Sequence, residues 1–192
     1  MNLLTGVTNN ALVKALPLQA SRSGLITKLL YTNAAIFGYY TYASGPKRLN
    51  IERNLIAGPE STGPAVFFTH FVHNSLSQLL FTSGVFYTLG NYHVLTYGCA
   101  SFMNIFALSA LGGSLLTFAG LRSGAINHTQ AGAMAPAAGL IAYHVFKNPG
   151  WFKFLVGPIP ALALLTLYGA LYGDRNAIGG VSLGYLAFIF GL

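Results

Sequence analysis

Acidic residues are almost missing from this chain. Three Asp and Glu stand against ten Lys and Arg, and charged residues together make up 7% of the sequence. A soluble domain carries roughly 25%. The hydrophobic share is 54% and the mean hydropathy is +0.58. So few charges cannot give each apolar helix a wet face, which leaves lipid as the solvent. The acids Glu52, Glu60 and Asp174 all fall in expected loops. An apolar interior without a carboxylate argues against a proton relay or an ion-coupled carrier.

Cysteine is scarce too. Cys99 is the only one, so no intrachain disulfide can form and the redox compartment stays open. Within an apolar run it reads as a small buried residue. The formal charge of +7 points to no nucleic-acid partner, because the basic residues are scattered. Lys14, Arg22, Lys28, Lys47, Arg48, Arg53, Arg122, Lys147, Lys153 and Arg175 mostly flank apolar stretches, where membrane proteins keep their charge. There is no basic stripe, zinc spacing or aromatic RNA-binding motif.

What is present is a series of apolar stretches rich in Gly, Ala, Ser and Thr, as in packed membrane helices. The 192 residues suit a single domain preceded by a short segment. Residues 1–23 are basic and free of acids, which reads either as a mitochondrial targeting region or as an interfacial helix. Residues 24–192 then hold six expected transmembrane helices, an all-α polytopic architecture. The spans run from about Gly24 to Ala43, Ala65 to Leu89, Tyr97 to Phe118, Thr129 to Phe146, Phe152 to Tyr172, and Ala177 onward. Most approach the ~20 residues needed to cross hydrocarbon. Pro46, Pro59, Gly63 and Pro64 break the first loop, and the second span ends near Gly90. Basic residues divide too evenly between the two sides to fix an orientation.

Three segments carry a pattern. In the second span, Phe71-Val72-His73 is followed by Gln78, Thr82 and the run Phe86 to Gly90 (FYTLG). The fourth span opens Gly132-Ala133-Met134-Ala135-Pro136-Ala137-Ala138-Gly139-Leu140. The sixth holds Asn176-Ala177-Ile178-Gly179-Gly180-Val181-Ser182-Leu183-Gly184. In order, spacing and helix number these resemble the rhomboid family of six-helix intramembrane serine proteases. The likeness extends from about Gly24 to Leu192. In rhomboids the second span has an F-x-H opening, then a histidine and an asparagine that help form the oxyanion site. Gln78 and Thr82 stand at those two positions. The fourth span of rhomboids reads G-A-S-G-A-x-x-G-L, and Met134 replaces its nucleophilic serine. The sixth reads A-H-x-G-G-x-x-x-G, and Ala177 replaces the histidine base. The first loop departs from the family, being short and without a Trp-Arg pair.

The resemblance therefore implies a rhomboid-like pseudoprotease. A thioether has no proton to give up and a methyl group cannot accept one, so nucleophile and base are both lost. Because a nucleophile and its base act as a unit, no peptidase activity is expected. The serines Ser75, Ser77, Ser123 and Ser182 have no obvious partnered base.

The remaining candidates read as structure. His70 and His73 share one side of the second span, His144 ends the fourth, and His93 and His128 lie at expected helix edges. All five read as polar caps, with neither metal nor haem nor any other cofactor. Gly180 and Gly184 form a small-xxx-small pair, with Gly179 beside them. Together with Gly132 and Gly139 they are expected to let the sixth helix approach the one bearing Met134. Two roles follow. One is an accessory subunit of a larger membrane complex, surrounded by lipid and other subunits, in the mitochondrial inner membrane. The other resembles derlins, rhomboid pseudoproteases that bind transmembrane clients for quality control or translocation. A chain ending inside its last helix at Leu192, with no soluble tail for recruiting partners, favours the subunit.

Overall fold

The computed structural model describes residues 24–126, 129–148 and 175–191. The basic segment 1–23, the expected fifth span, Asp174 and His128 lie outside the described residues. Among the described residues there are eight α-helices and no strand. They are α1 (Gly24–Tyr42), α2 (Gly45–Leu55), α3 (Ala65–Phe68), α4 (Leu76–Val85), α5 (Asn91–Tyr97), α6 (Cys99–Arg122), α7 (Met134–Lys147) and α8 (Arg175–Ile189). One of these, α6, is long and apolar enough to cross a membrane. A shorter apolar stretch covers Ala177–Ile189 in α8.

Several boundaries differ from the sequence reading. The first loop is not simply broken by Pro46, because Gly45–Leu55 is helical and Pro46 sits in its first turn. There its missing N–H costs nothing. Glu52 is thus helical, and bonds Arg48 one turn earlier at 3.0 Å. This neighbour holds the Arg48 guanidinium above its ordinary pKa.

The second span is not one helix from Ala65. Four residues of α3 lead into a 3₁₀ turn, Thr69–Phe71, and Ser75 then starts α4 by accepting a hydrogen bond from the Gln78 N–H. A π-turn over Phe86–Gly90 joins α4 to α5, so the rod runs past Gly90 to Tyr97. At Gly98 the backbone has φ +92°, a conformation that favours glycine, and the chain reverses into α6. Cys99 is therefore the half-buried first residue of a helix.

The fourth helix starts at Met134, five residues later than expected, because the chain before it is tied down in extended form. Gln130 N–H donates to the Ala57 carbonyl at 2.7 Å, and Gly132 N–H to the Thr69 carbonyl at 2.9 Å. The Thr69 hydroxyl donates to the Gln130 carbonyl and accepts from Ala57 N–H. These bonds fix where α7 begins.

Helix α7 is central: 11 of its 14 residues are buried. It packs against α8 and α6, which also pack against each other. Backbone approaches backbone here. A Cβ at Gly180 would lie 2.6 Å from the Ala135 Cα, and one at Gly184 2.6 Å from the Gly139 Cα. A Cβ at Gly179 would meet the Gly113 nitrogen at 2.6 Å. Below this contact, Ile26, Phe86, Phe102, Phe106, Leu140 and Tyr143 form the main apolar core. The outer faces stay apolar, with Leu80 and Phe81 on α4 and Leu111 and Leu115 on α6 exposed by 40% or more.

Candidate functional site

The positions singled out in the sequence meet around the N-terminal end of α7. Gly132 turns the chain there with φ +114°, and a Cβ on it would run into the Gln78 side chain. Gln78 fills that space and holds it. Its Nε2 donates to the Ala131 carbonyl at 2.6 Å, and its Oε1 accepts from Asn74 N–H at 3.1 Å. Thr82 Oγ1, one turn along α4, points its proton at the carbonyls of Gln78 and Leu79, 3.0 and 3.2 Å away. It therefore accepts from His73 Nε2, 3.0 Å away. That assigns the proton to Nε2 and leaves the buried Nδ1 without a hydrogen-bond partner.

Two residues beyond Gly132, Met134 begins α7 and packs with Ala138 and Ala177 in a buried apolar cluster. Val181 covers it from α8. Ala177 has no exposed surface and Met134 has 3%. A thioether and a methyl group carry no exchangeable proton, so Met134 and Ala177 themselves supply neither a nucleophile nor a base. Ser75 and Ser77 bond one another at 3.0 Å. Ser123 and Ser182 donate to backbone carbonyls within their own helical turns.

Sequence reasoning missed two serine–histidine contacts. Ser114 on α6 lies 3.0 Å from His70 Nε2 but donates its proton to the Val66 carbonyl at 2.9 Å. His70 Nε2 must then carry a proton, shared with the Ala110 carbonyl at 2.9 Å. This pair joins the 3₁₀ turn to α6 and has no free base on that nitrogen.

The second contact is at the far end of α7 and corrects the view of His93 as a helix-edge cap. His93 lies inside α5, has no exposed surface, and faces the equally buried His144. Their Nδ1 and Nε2 atoms are 3.2 Å apart, and His93 Nε2 is 2.9 Å from Ser101 Oγ. Tyr97 and Tyr143 close around His93, with ring centres 4.8 and 5.2 Å away. The chain thus does bring polar groups of separate helices face to face inside its core. No signal in the sequence could pair His93 with His144, since the pairing depends on how α5 and α7 cross. Among the described residues there is no group of three or more His, Cys, Asp or Glu able to hold a metal.

Compared with known proteins, the chain matches no family model and no curated protein.

Proposed function

We propose that this chain is a proteolytically inactive, rhomboid-like membrane protein with six spans. In this reading it is an accessory subunit of a larger complex in the mitochondrial inner membrane. The observation that carries the reading is the buried contact of Met134 with Ala177, where the rhomboid pattern has serine and histidine. Gln78, tied to Ala131, occupies the neighbouring space. Closure of this kind fits a protein whose value is its shape. Exposed apolar side chains on α4, α6 and α8 suit lipid or the helices of other subunits. Polar α2, of which Ile51 is the buried residue, suits the water–membrane boundary. The acid-free basic start is what favours mitochondria.

Gentle detergent extraction followed by native electrophoresis tests this. The chain is expected to migrate with one large assembly of constant composition. Migration alone, or with many short-lived clients, would favour the derlin-like role instead.

A further inference from the structure

Two basic side chains without an acid partner among the described residues, Arg53 and Arg122, border one loop. Gly58 to Thr62 is held rigid by its own hydrogen bonds. Ser61 Oγ donates to the Gly58 carbonyl at 2.8 Å and accepts from Gly58 N–H at 3.0 Å. Thr62 N–H donates to the Arg53 carbonyl at 2.9 Å. A cleft of about 640 Å³ lies on one side, with Arg53 in its wall. A smaller one of about 370 Å³ lies on the other, lined by Arg122, Ser61, Thr62 and Phe118. The two share Gly58, Pro59 and Ser61.

Taken together, the two clefts carry more positive than unpaired negative charge. Glu52 borders the larger cleft, but its carboxylate is held by Arg48 at 3.0 Å and by the Tyr40 hydroxyl at 3.1 Å. That leaves Glu60 as the one unpaired acid there, against Arg53. No acid lines the smaller cleft. The one ion pair among the described residues is Arg48–Glu52, so neither Arg53 nor Arg122 has a carboxylate partner there.

Below Arg122 the surface changes character in a definite direction. Phe118, Leu115 and Leu111 follow at helical spacings of four, three and four residues, so all lie on one face of α6. They are exposed by 45%, 55% and 40%. The Arg122 guanidinium lies 5.9 Å from the Phe118 ring centre, at the head of this stripe. The Ser61 and Thr62 hydroxyls donate to the Gly58 and Arg53 carbonyls, so Arg122 is the group that an anion would meet in the smaller cleft. A cation with an apolar track leading away from it is the imprint of a phospholipid: phosphate above, acyl chain below.

We propose that these clefts bind a phospholipid with a net negative headgroup. Its phosphate is held by Arg122, Arg53 in the adjoining cleft supplies the second positive charge, and an acyl chain lies along Phe118, Leu115 and Leu111. The site rests on the membrane reading above. It gives the accessory subunit a specific lipid to carry into its complex.

The test uses the purified full chain in mixed micelles holding equal phosphatidylglycerol and phosphatidylcholine, read by native mass spectrometry. Phosphatidylglycerol adducts should dominate, and Arg122→Gln and Arg53→Gln should each reduce them about fivefold. Lys47→Gln, an exposed basic residue away from the clefts, should leave them unchanged. The proposal is overturned by equal adducts of both lipids, by arginine variants that bind like the parent, or by an equal loss in Lys47→Gln. Alkaline extraction of native membranes separates this failure from that of the parent reading. A chain retained in the membrane but without lipid preference loses only the site. A chain released into the supernatant loses the membrane assignment and the site with it.

Discussion

The two ends of α7 solve the same problem in opposite ways. At the N-terminal end, Met134 meets Ala177 and Val181 in a dry apolar cluster. At the other end, ten residues along and so about 15 Å away, His144 meets His93, which in turn meets Ser101. At the N-terminal end the polar groups Gln78, Thr82 and His73 stand beside the apolar cluster, on α4 and the turn before it. At the other end the helix itself enters a buried polar relay through His144. Polar groups in a core are costly unless each finds a partner, and then they fix one arrangement of helices. The His93–His144 contact is best understood in that way, as a lock between α5 and α7.

This contrast can be broken or sharpened by substitution, read as thermal stability in detergent. The largest effect belongs to the glycine contact shared by α7 and α8. Gly180→Leu should cost about 3 kcal/mol or more, since its first added carbon would lie 2.6 Å from backbone. Gly84→Leu, where nothing lies within 4 Å, should change little. Equal effects would mean that α8 does not depend on close approach.

The polar end comes next. His93→Ala removes the ring that His144 Nε2 and Ser101 Oγ face and opens a cavity, at about 2–3 kcal/mol. A variant as stable as the parent would show that the relay is not a lock. Gln78→Ala should cost less, about 1–2 kcal/mol, because Gln78 is only half-buried and its loss strands one group, the carbonyl of buried Ala131. Smallest of all is Glu52→Gln, which breaks the exposed pair with Arg48 and should stay within about 0.5 kcal/mol.

Much of this architecture is visible in the chain as written, but unevenly. Composition alone leads to helices with apolar outer faces, and Gly179, Gly180 and Gly184 mark a close helix contact because small residues at helical spacing have few other uses. The π-turn at Phe86–Gly90 is hidden, since nothing in the residues of FYTLG distinguishes it from an ordinary helical turn. Helix α2 is hidden for another reason: Pro46 looks like a breaker but falls in the first turn, where it is tolerated. The late start of α7 depends on Thr69 gripping Gln130 across 61 residues, and His93 finds His144 across 51. Contacts so distant in sequence are set by helix crossings, which local pattern does not encode.

The central claim is that neither end of α7 supports peptide cleavage. It is tested most directly by treating the purified chain, reconstituted in liposomes, with a serine-directed fluorophosphonate and with transmembrane peptide substrates. The account predicts no adduct and no cleavage, because Met134 and Ala177 hold no exchangeable proton and His93 is sealed from solvent. A covalent adduct mapped to Ser101, lost in both Ser101→Ala and His93→Ala, would contradict it.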